Sequence, residues 1–209
     1  MFTQLKSVRE AVAAWSGLLL LCLLAACASE PPPAPPAAPA APYTGPVLQI
    51  EQTPRGVLLV LPSTVLFDVN QSTFREQEAK PYLDRLGELL KRKQDKRIAI
   101  EGHTDSDGSA TTNQTLSRAP ASAVAEAMGT RGVQRDRMEV TGFSFNRPVA
   151  SNATDEGKRL NRRVEMIVLD ETVASFTAGE PASAFESAFA RLKSLVESGL
   201  VKPVEGGKP

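Results

Sequence analysis

Histidine and cysteine are nearly absent from this chain. One histidine, His103, stands in 209 residues, and the two cysteines, Cys22 and Cys27, both fall near the N-terminus. No disulfide framework staples the rest of the chain, and His-rich metal sites are excluded. Neither sign of charge is in excess, with 24 Lys+Arg facing 24 Asp+Glu. A protein that coats nucleic acid needs a large positive excess. Lys158-Arg159 and Arg162-Arg163 therefore read as part of a solvated face, and nucleic acid is not an expected partner. The chain has no Gly-x-Ser-x-Gly elbow and no phosphate loop. Asp105-Ser106-Asp107-Gly108 outlines a calcium loop, but His103 and Gln114 stand where such a loop wants acids. No catalytic residue, cofactor or metal is expected, and His103 should orient its strand end and loop through hydrogen bonds.

What is present begins with a basic start, Lys6 and Arg9, and an apolar run from Ala11 to Ala26. As a helix that run rises about 24 Å, short of the roughly 30 Å hydrocarbon core. It reads as a secretory signal over residues 1–26, the small residues Ala25 and Ala26 following the leucines. Leu24-Ala25-Ala26-Cys27 resembles a bacterial lipobox. That resemblance implies cleavage before Cys27 and acylation of the new N-terminus, each buried CH₂ adding about 0.8 kcal/mol of membrane affinity. By resemblance to sorting in Gram-negative lipoproteins, Ala28, with no aspartate there, implies the outer membrane. Residues 27–46 form a linker, and Pro31 to Pro46 holds eight of the sixteen prolines. Such a stretch favours extended polyproline II at about 3.1 Å per residue, a reach on the order of 50 Å into the periplasm.

The globular part is expected over 47–171. Val47–Gln52 alternates, Pro54-Arg55-Gly56 reads as a turn, and Val57–Leu61 is a near-continuous apolar strand. Val65–Phe67 suggests a short further strand. Ala79, Tyr82, Leu83, Leu86, Leu89 and Leu90 fall at helical spacing, with Pro81 in the first turn. Ile98 and Ile100 mark a strand, Thr112–Met128 a second helix, and Met138–Phe143 and Arg163–Leu169 two more strands. The order β-β-α-β-α-β-β predicts an α/β (α+β) two-layer sandwich, a mixed sheet with helices on one face. Within 172–209, Phe185, Phe189, Leu192, Val196 and Leu200 predict an amphipathic helix over 183–200. That helix packs on the domain's own surface, meets a protein partner, mediates self-association, or lies on a membrane surface. All four readings stay open at this point.

Four stretches carry a family resemblance: Phe67-Asp68, Glu101-Gly102-His103-Thr104-Asp105, Asn113-Gln114-Thr115-Leu116-Ser117, and Glu156 through Glu165, which contains Asn161-Arg162-Arg163. With the loop Asn146–Asn152, they occur in the order and spacing of the OmpA-like C-terminal domain of the peptidoglycan-associated lipoprotein type. The chain resembles that family from Leu61 to Leu169. The resemblance implies non-covalent binding of peptidoglycan through the diaminopimelate of its stem peptide. By the same resemblance Asp105 takes the ligand ammonium. Asp68, Asn113 and the backbone around Leu116 line the pocket, and Arg162 adds positive charge.

One position departs from the family. Its carboxylate-binding arginine lies fifteen residues after the equivalent of Asp105, and here that place is Pro120. Arg118, two residues away, is about 200° around a helix and a poor substitute. Starting the helix at Ser117 as N-cap would put Pro120 in its first turn. Two readings follow. Either the protein tethers the outer membrane to peptidoglycan with a weakened grip, or it keeps the fold with a non-binding pocket and acts through its C-terminal helix.

Overall fold

The computed structural model describes residues 42–67 and 73–204. The signal, Cys27, the linker up to residue 41, and Asp68 lie outside the described residues. Strand β1 (Leu48–Thr53) turns at Gly56 into β2 (Gly56–Pro62). Gly56 has φ +139°, and a Cβ there would stand 2.0 Å from the Val168 carbonyl oxygen, so the turn requires glycine. A single helical turn, α1 (Ser63–Leu66), follows where a strand was expected. Phe67 makes only an isolated bridge, to Phe74, on which its ring stacks at 4.7 Å. Pro62 ends β2, and the chain must turn there to reach helix α2 (Glu76–Lys91). That helix starts earlier than the hydrophobic spacing indicated, so Pro81 lies beyond its first turn.

Strand β3 (Ile98–His103), helix α3 (Ala110–Thr130), strand β4 (Met138–Gly142) and strand β5 (Arg163–Leu169) complete the expected order, and a helix outside that order, α4 (Asp155–Asn161), stands between β4 and β5. Beyond them come a short turn α5 (Val173–Phe176), strand β6 (Phe185–Ser187) and helix α6 (Ala188–Glu197). The mixed sheet has the order β4-β3-β5-β2-β1-β6. The β3/β4 and β1/β6 pairs are parallel and the rest antiparallel.

The principal core joins Leu83, Leu86 and Leu90 of α2 and Val124 and Met128 of α3 to Leu59, Ile100, Val164 and Met166 of the sheet. It takes in Phe176, past the expected limit at residue 171. On the opposite face Leu58, Ile167 and Ala99 stand side by side across β2, β5 and β3. Strands apolar on both faces must lie in the sheet's middle, which is where the order puts β2 and β5.

Helix α3 spans the expected Thr112–Met128 with two more residues at each end, but it does not start at Ser117, the cap that would have put Pro120 in its first turn. Its N-cap is Ser109, whose Oγ accepts from Thr112 N at 3.1 Å, and the helix runs unbroken through Pro120. Ser117 is unavailable as a cap. Its Oγ donates to the Gln114 carbonyl at 3.0 Å and accepts from Ser144 N at 3.0 Å. Pro120 therefore sits mid-helix without an N–H for the Leu116 carbonyl.

The C-terminal helix is shorter than the expected 183–200. Residues 185–187 join the sheet instead, because Phe185 pairs in register with Leu48 and the β1 edge satisfies its backbone. Ser187 then caps α6, its Oγ accepting from Ala190 N at 3.1 Å. Ser187 also donates to Glu51 Oε2 at 2.6 Å, Ser151 N donates to the Lys202 carbonyl at 2.9 Å, and Val201 is buried. Of the readings held open for this segment, packing on the domain's own surface is the one the structure displays.

Pro120→Ala is expected to raise the unfolding free energy by about 2 kcal/mol. An interior proline costs about 3 kcal/mol relative to alanine, less roughly 1 kcal/mol for the looser unfolded chain. Urea titration followed by circular dichroism measures it. An unchanged midpoint would mean that α3 has already relieved the strain.

Candidate functional site

Strand β3 ends by delivering Thr104 and Asp105 to a loop held from three sides. Thr104 N donates to the Ser144 carbonyl at 3.0 Å. Ser144 itself adopts a left-handed backbone (φ 53°), fixed by its bond to Ser117 Oγ. Asn113, buried in the first turn of α3, donates its amide to the Asp107 carbonyl at 2.8 Å. Asn161, fully buried at the end of α4, accepts from Val149 N and Ala150 N and donates to Ala150 O and to Asn152 Oδ1. Asn152 Oδ1 in turn accepts from Ser106 N at 3.3 Å.

Within this frame Asp105 is buried and makes two bonds. Its Oδ1 accepts from Asp107 N at 3.0 Å, closing a local turn, and its Oδ2 accepts from Arg162 Nη1 at 2.5 Å. Arg162 sits at the C-cap of α4 with about a third of its side chain exposed. Asp105, Asn113 and Arg162 thus come together as the sequence indicated. Leu116 lies on α3 one turn beyond Asn113 and is 42% exposed. Arg118 points to the free edge of the sheet, donating to the Val140 carbonyl at 3.0 Å.

Two residues were missed. Lys158 Nζ lies 2.8 Å from Asp107 Oδ1 and 3.0 Å from Oδ2. The hydrogen bond to Asp107, with the nearby charges of Asp107, Asp105 and Asp155, raises its pKa. The signal was available: Lys158 and Arg162 are four apart, hence on one helical face, and Asp105 and Asp107 share one loop.

A second charged cluster occupies the face of the sheet opposite the helices. Glu101 and Glu165 are directly opposed across β3 and β5, a costly placement for like charges. Arg55 meets Glu101 at 2.6 Å, Arg147 meets it at 3.4 Å, and the buried Arg163 meets Glu165 at 2.6 Å. His103, Glu101 and Glu165 offer ligand atoms within 4.8 Å of one another. The arginines already neutralise both acids, so a metal ion would have to enter against three guanidinium groups. The cluster reads as an ion-pair network. Among the described residues neither ring nitrogen of His103 has a hydrogen-bond partner, its Nε2 standing 3.6 Å from Glu165. The expected hydrogen-bonding role gives way to packing, with the imidazole stacked on Phe143 and Arg147 lying over the Phe143 ring at 3.6 Å. Burial lowers the His103 pKa. Burial also works to raise the Glu165 carboxyl, but contacts with His103 and Arg163 overcome it and hold Glu165 at about 2.

Comparison with known proteins places these motifs. Residues 66–162 match the OmpA family, a stretch that runs from α1 to Arg162. The chain is 34% identical over 122 residues to the probable lipoprotein YiaD of Escherichia coli, covering 58% of this chain and 55% of YiaD. It is 43% identical over 86 residues to the peptidoglycan-binding protein ArfA of Mycobacterium bovis, covering 41% of this chain and 26% of ArfA. It therefore spans about half of one of these curated relatives and about a quarter of the other. Among solved structures, the cell wall anchor of the T6SS from Pseudomonas aeruginosa superposes with a TM-score of 0.53 at 31% identity, over 58% of this chain and 87% of that one.

The Glu165 and His103 shifts predict acid lability. Glu165 has a folded pKa below its unfolded value, so its contribution is present above about pH 4.5 and is lost as pH falls toward 2. A buried neutral His103 works in the same direction, favouring unfolding below its ordinary value of about 6.5. Urea midpoints measured between pH 7 and pH 2.5 are expected to fall steadily. Glu165→Gln should lower the neutral midpoint and flatten the slope below pH 4.5. A slope unchanged by that substitution would remove Glu165 as its source.

Proposed function

The chain belongs to the OmpA family, and from that premise we propose that it binds peptidoglycan non-covalently, as an outer-membrane lipoprotein anchored through acylated Cys27. The observation that carries this reading is the Asp105–Arg162 pair, 2.5 Å apart at a partly exposed loop. Diaminopimelate ends in an ammonium and a carboxylate on one carbon. A receptor for it needs an acid and a cationic donor side by side, and this pair supplies both. The relatives support the reading, one being named a probable lipoprotein and another a peptidoglycan-binding protein. The proposed role is binding, with no bond made or broken. Lipid on Cys27 at one end and wall at the other would tether the outer membrane across the periplasm, the proline-rich linker setting the reach.

The grip is weakened at one point. Pro120 supplies no cation, and Arg118 is committed to the β4 edge. Losing one partner of a buried charge pair costs about 2–5 kcal/mol, on the order of 30-fold to several thousand-fold in affinity. A second reading keeps the fold and moves function to the C-terminal segment as a protein-binding or self-associating surface. The exposed Phe189 and Leu200 favour it, both large apolar side chains at the surface.

Full-length protein in detergent, sedimented with purified sacculi, separates the two. Binding by the parent that Asp105→Ala abolishes and Pro120→Arg strengthens at least tenfold is the expected result. Pelleting by none of the three would overturn the proposal, and pelleting by Pro120→Arg alone would favour the second reading. Cys27→Ser should move the protein out of the membrane fraction, and retention there would refute the lipid anchor.

A further inference from the structure

The charges around Asp105 form a row that the missing arginine does not by itself explain. Lys158 contacts Asp107, Asp107 N–H bonds Asp105, and Asp105 contacts Arg162. Lys158 and Arg162 project from one face of α4, while both acids belong to one loop. The row therefore has a cation at each end and two acids between them: Lys158, Asp107, Asp105, Arg162. A zwitterion whose two charges share one carbon can insert into such a row without stranding any charge. Its ammonium takes up carboxylate oxygens as its carboxylate draws off the cations.

The two pairs are not equally hard to open. The Asp107 side chain is 65% exposed, so its pair with Lys158 is a surface ion pair of small net worth. Asp107 can return to water when Lys158 leaves it. Lysine carries a compact charge on a flexible stem and can swing to a new partner without the planar alignment that arginine needs. Arg118, the other cation near the absent arginine's place, is turned toward Val140.

Resting on the peptidoglycan reading above, we propose that Lys158 is the second cationic donor to the ligand carboxylate, standing in for the arginine replaced by Pro120 and setting the preference for a stem peptide that carries that carboxylate. Arg162 is the first donor. The ligand class is an amino acid side chain ending in a zwitterion, and a stem peptide ending in a plain amine loses the Lys158 contact.

Two synthetic tripeptides test this, L-Ala-D-Glu-meso-diaminopimelate and L-Ala-D-Glu-L-Lys, which differ in the distal carboxylate. Each is titrated calorimetrically into full-length protein in detergent. The parent should prefer the diaminopimelate peptide by about tenfold, the size expected of one charge-assisted contact. Lys158→Gln should bring the two affinities to within about twofold, mainly by weakening the diaminopimelate peptide, and Lys158→Arg should keep the preference. A preference unchanged in Lys158→Gln overturns this inference alone, as does equal weakening of both peptides, which would mark Lys158 as a support for the loop. A parent that binds neither peptide overturns the peptidoglycan reading together with it.

Discussion

The contact between Ser117 of α3 and two glycines of the sheet sets the position of nearly everything around the Asp105 loop. A Cβ at Gly102 would stand 1.7 Å from the Ser117 carbonyl oxygen, and one at Gly142 would stand 2.5 Å from its hydroxyl. A side chain on β3 at Gly102 would meet helix backbone and push the helix off the sheet, and one on β4 at Gly142 would displace the Ser117 hydroxyl. With the glycines in place, Ser117 comes near enough to bond Ser144 N and hold that residue in its left-handed conformation. Ser144 in turn accepts from Thr104, next to Asp105. The height of the Asp105 loop is thus decided by a close approach in the helix–sheet interface beneath it.

That constraint also accounts for the behaviour of α3 at Pro120. A helix free to choose its start would place the proline in its first turn. This one is pinned by its Ser109 cap, by Asn113 bonded to the Asp107 carbonyl, and by Ser117 against the sheet. Those anchors, each worth on the order of 1 kcal/mol, outweigh the proline's cost when taken together with the burial of Ala121, Val124 and Met128. The helix keeps its course through Pro120, a residue that offers neither a cation nor a backbone donor.

Charge is handled differently on the two sides of β3. Facing away from the helices, Glu101 and Glu165 oppose each other and are closed off by Arg55, Arg147 and Arg163, with His103 packed neutral among them. Every strong charge there has a partner within the protein, which makes a rigid and acid-sensitive network. At the strand's end the Lys158–Asp107 pair is exposed, and the buried Asp105 is paired with an Arg162 that is itself about a third exposed. A site that binds a charged ligand needs pairs of the second kind, because a ligand cannot compete for charges already locked in a network. The C-terminal segment adds to the frame from the far edge, with β6 extending the sheet and the Lys202 carbonyl fastened to Ser151 in the loop before α4.

The strands and the two long helices were legible in the sequence because period-2 and period-3.6 patterns report burial directly. So was the meeting of Asp105, Asn113 and Arg162, through the family resemblance that their motifs carry. Other features were not. Residues 185–187 fit a helical spacing, and only the open β1 edge made them a strand. His103 invited a hydrogen-bonding role that its packing between Phe143 and Glu165 denies. Ser117 looked like a free cap until the Gln114 carbonyl and the Ser144 amide claimed its hydroxyl, and Lys158 looked like surface charge until α4 was set against the Asp107 loop. Local patterns depend on what each residue prefers, and the sequence determines those alone. Which donor meets which acceptor depends on elements brought together from dozens of residues apart, and that was decided only when the helix closed on the sheet.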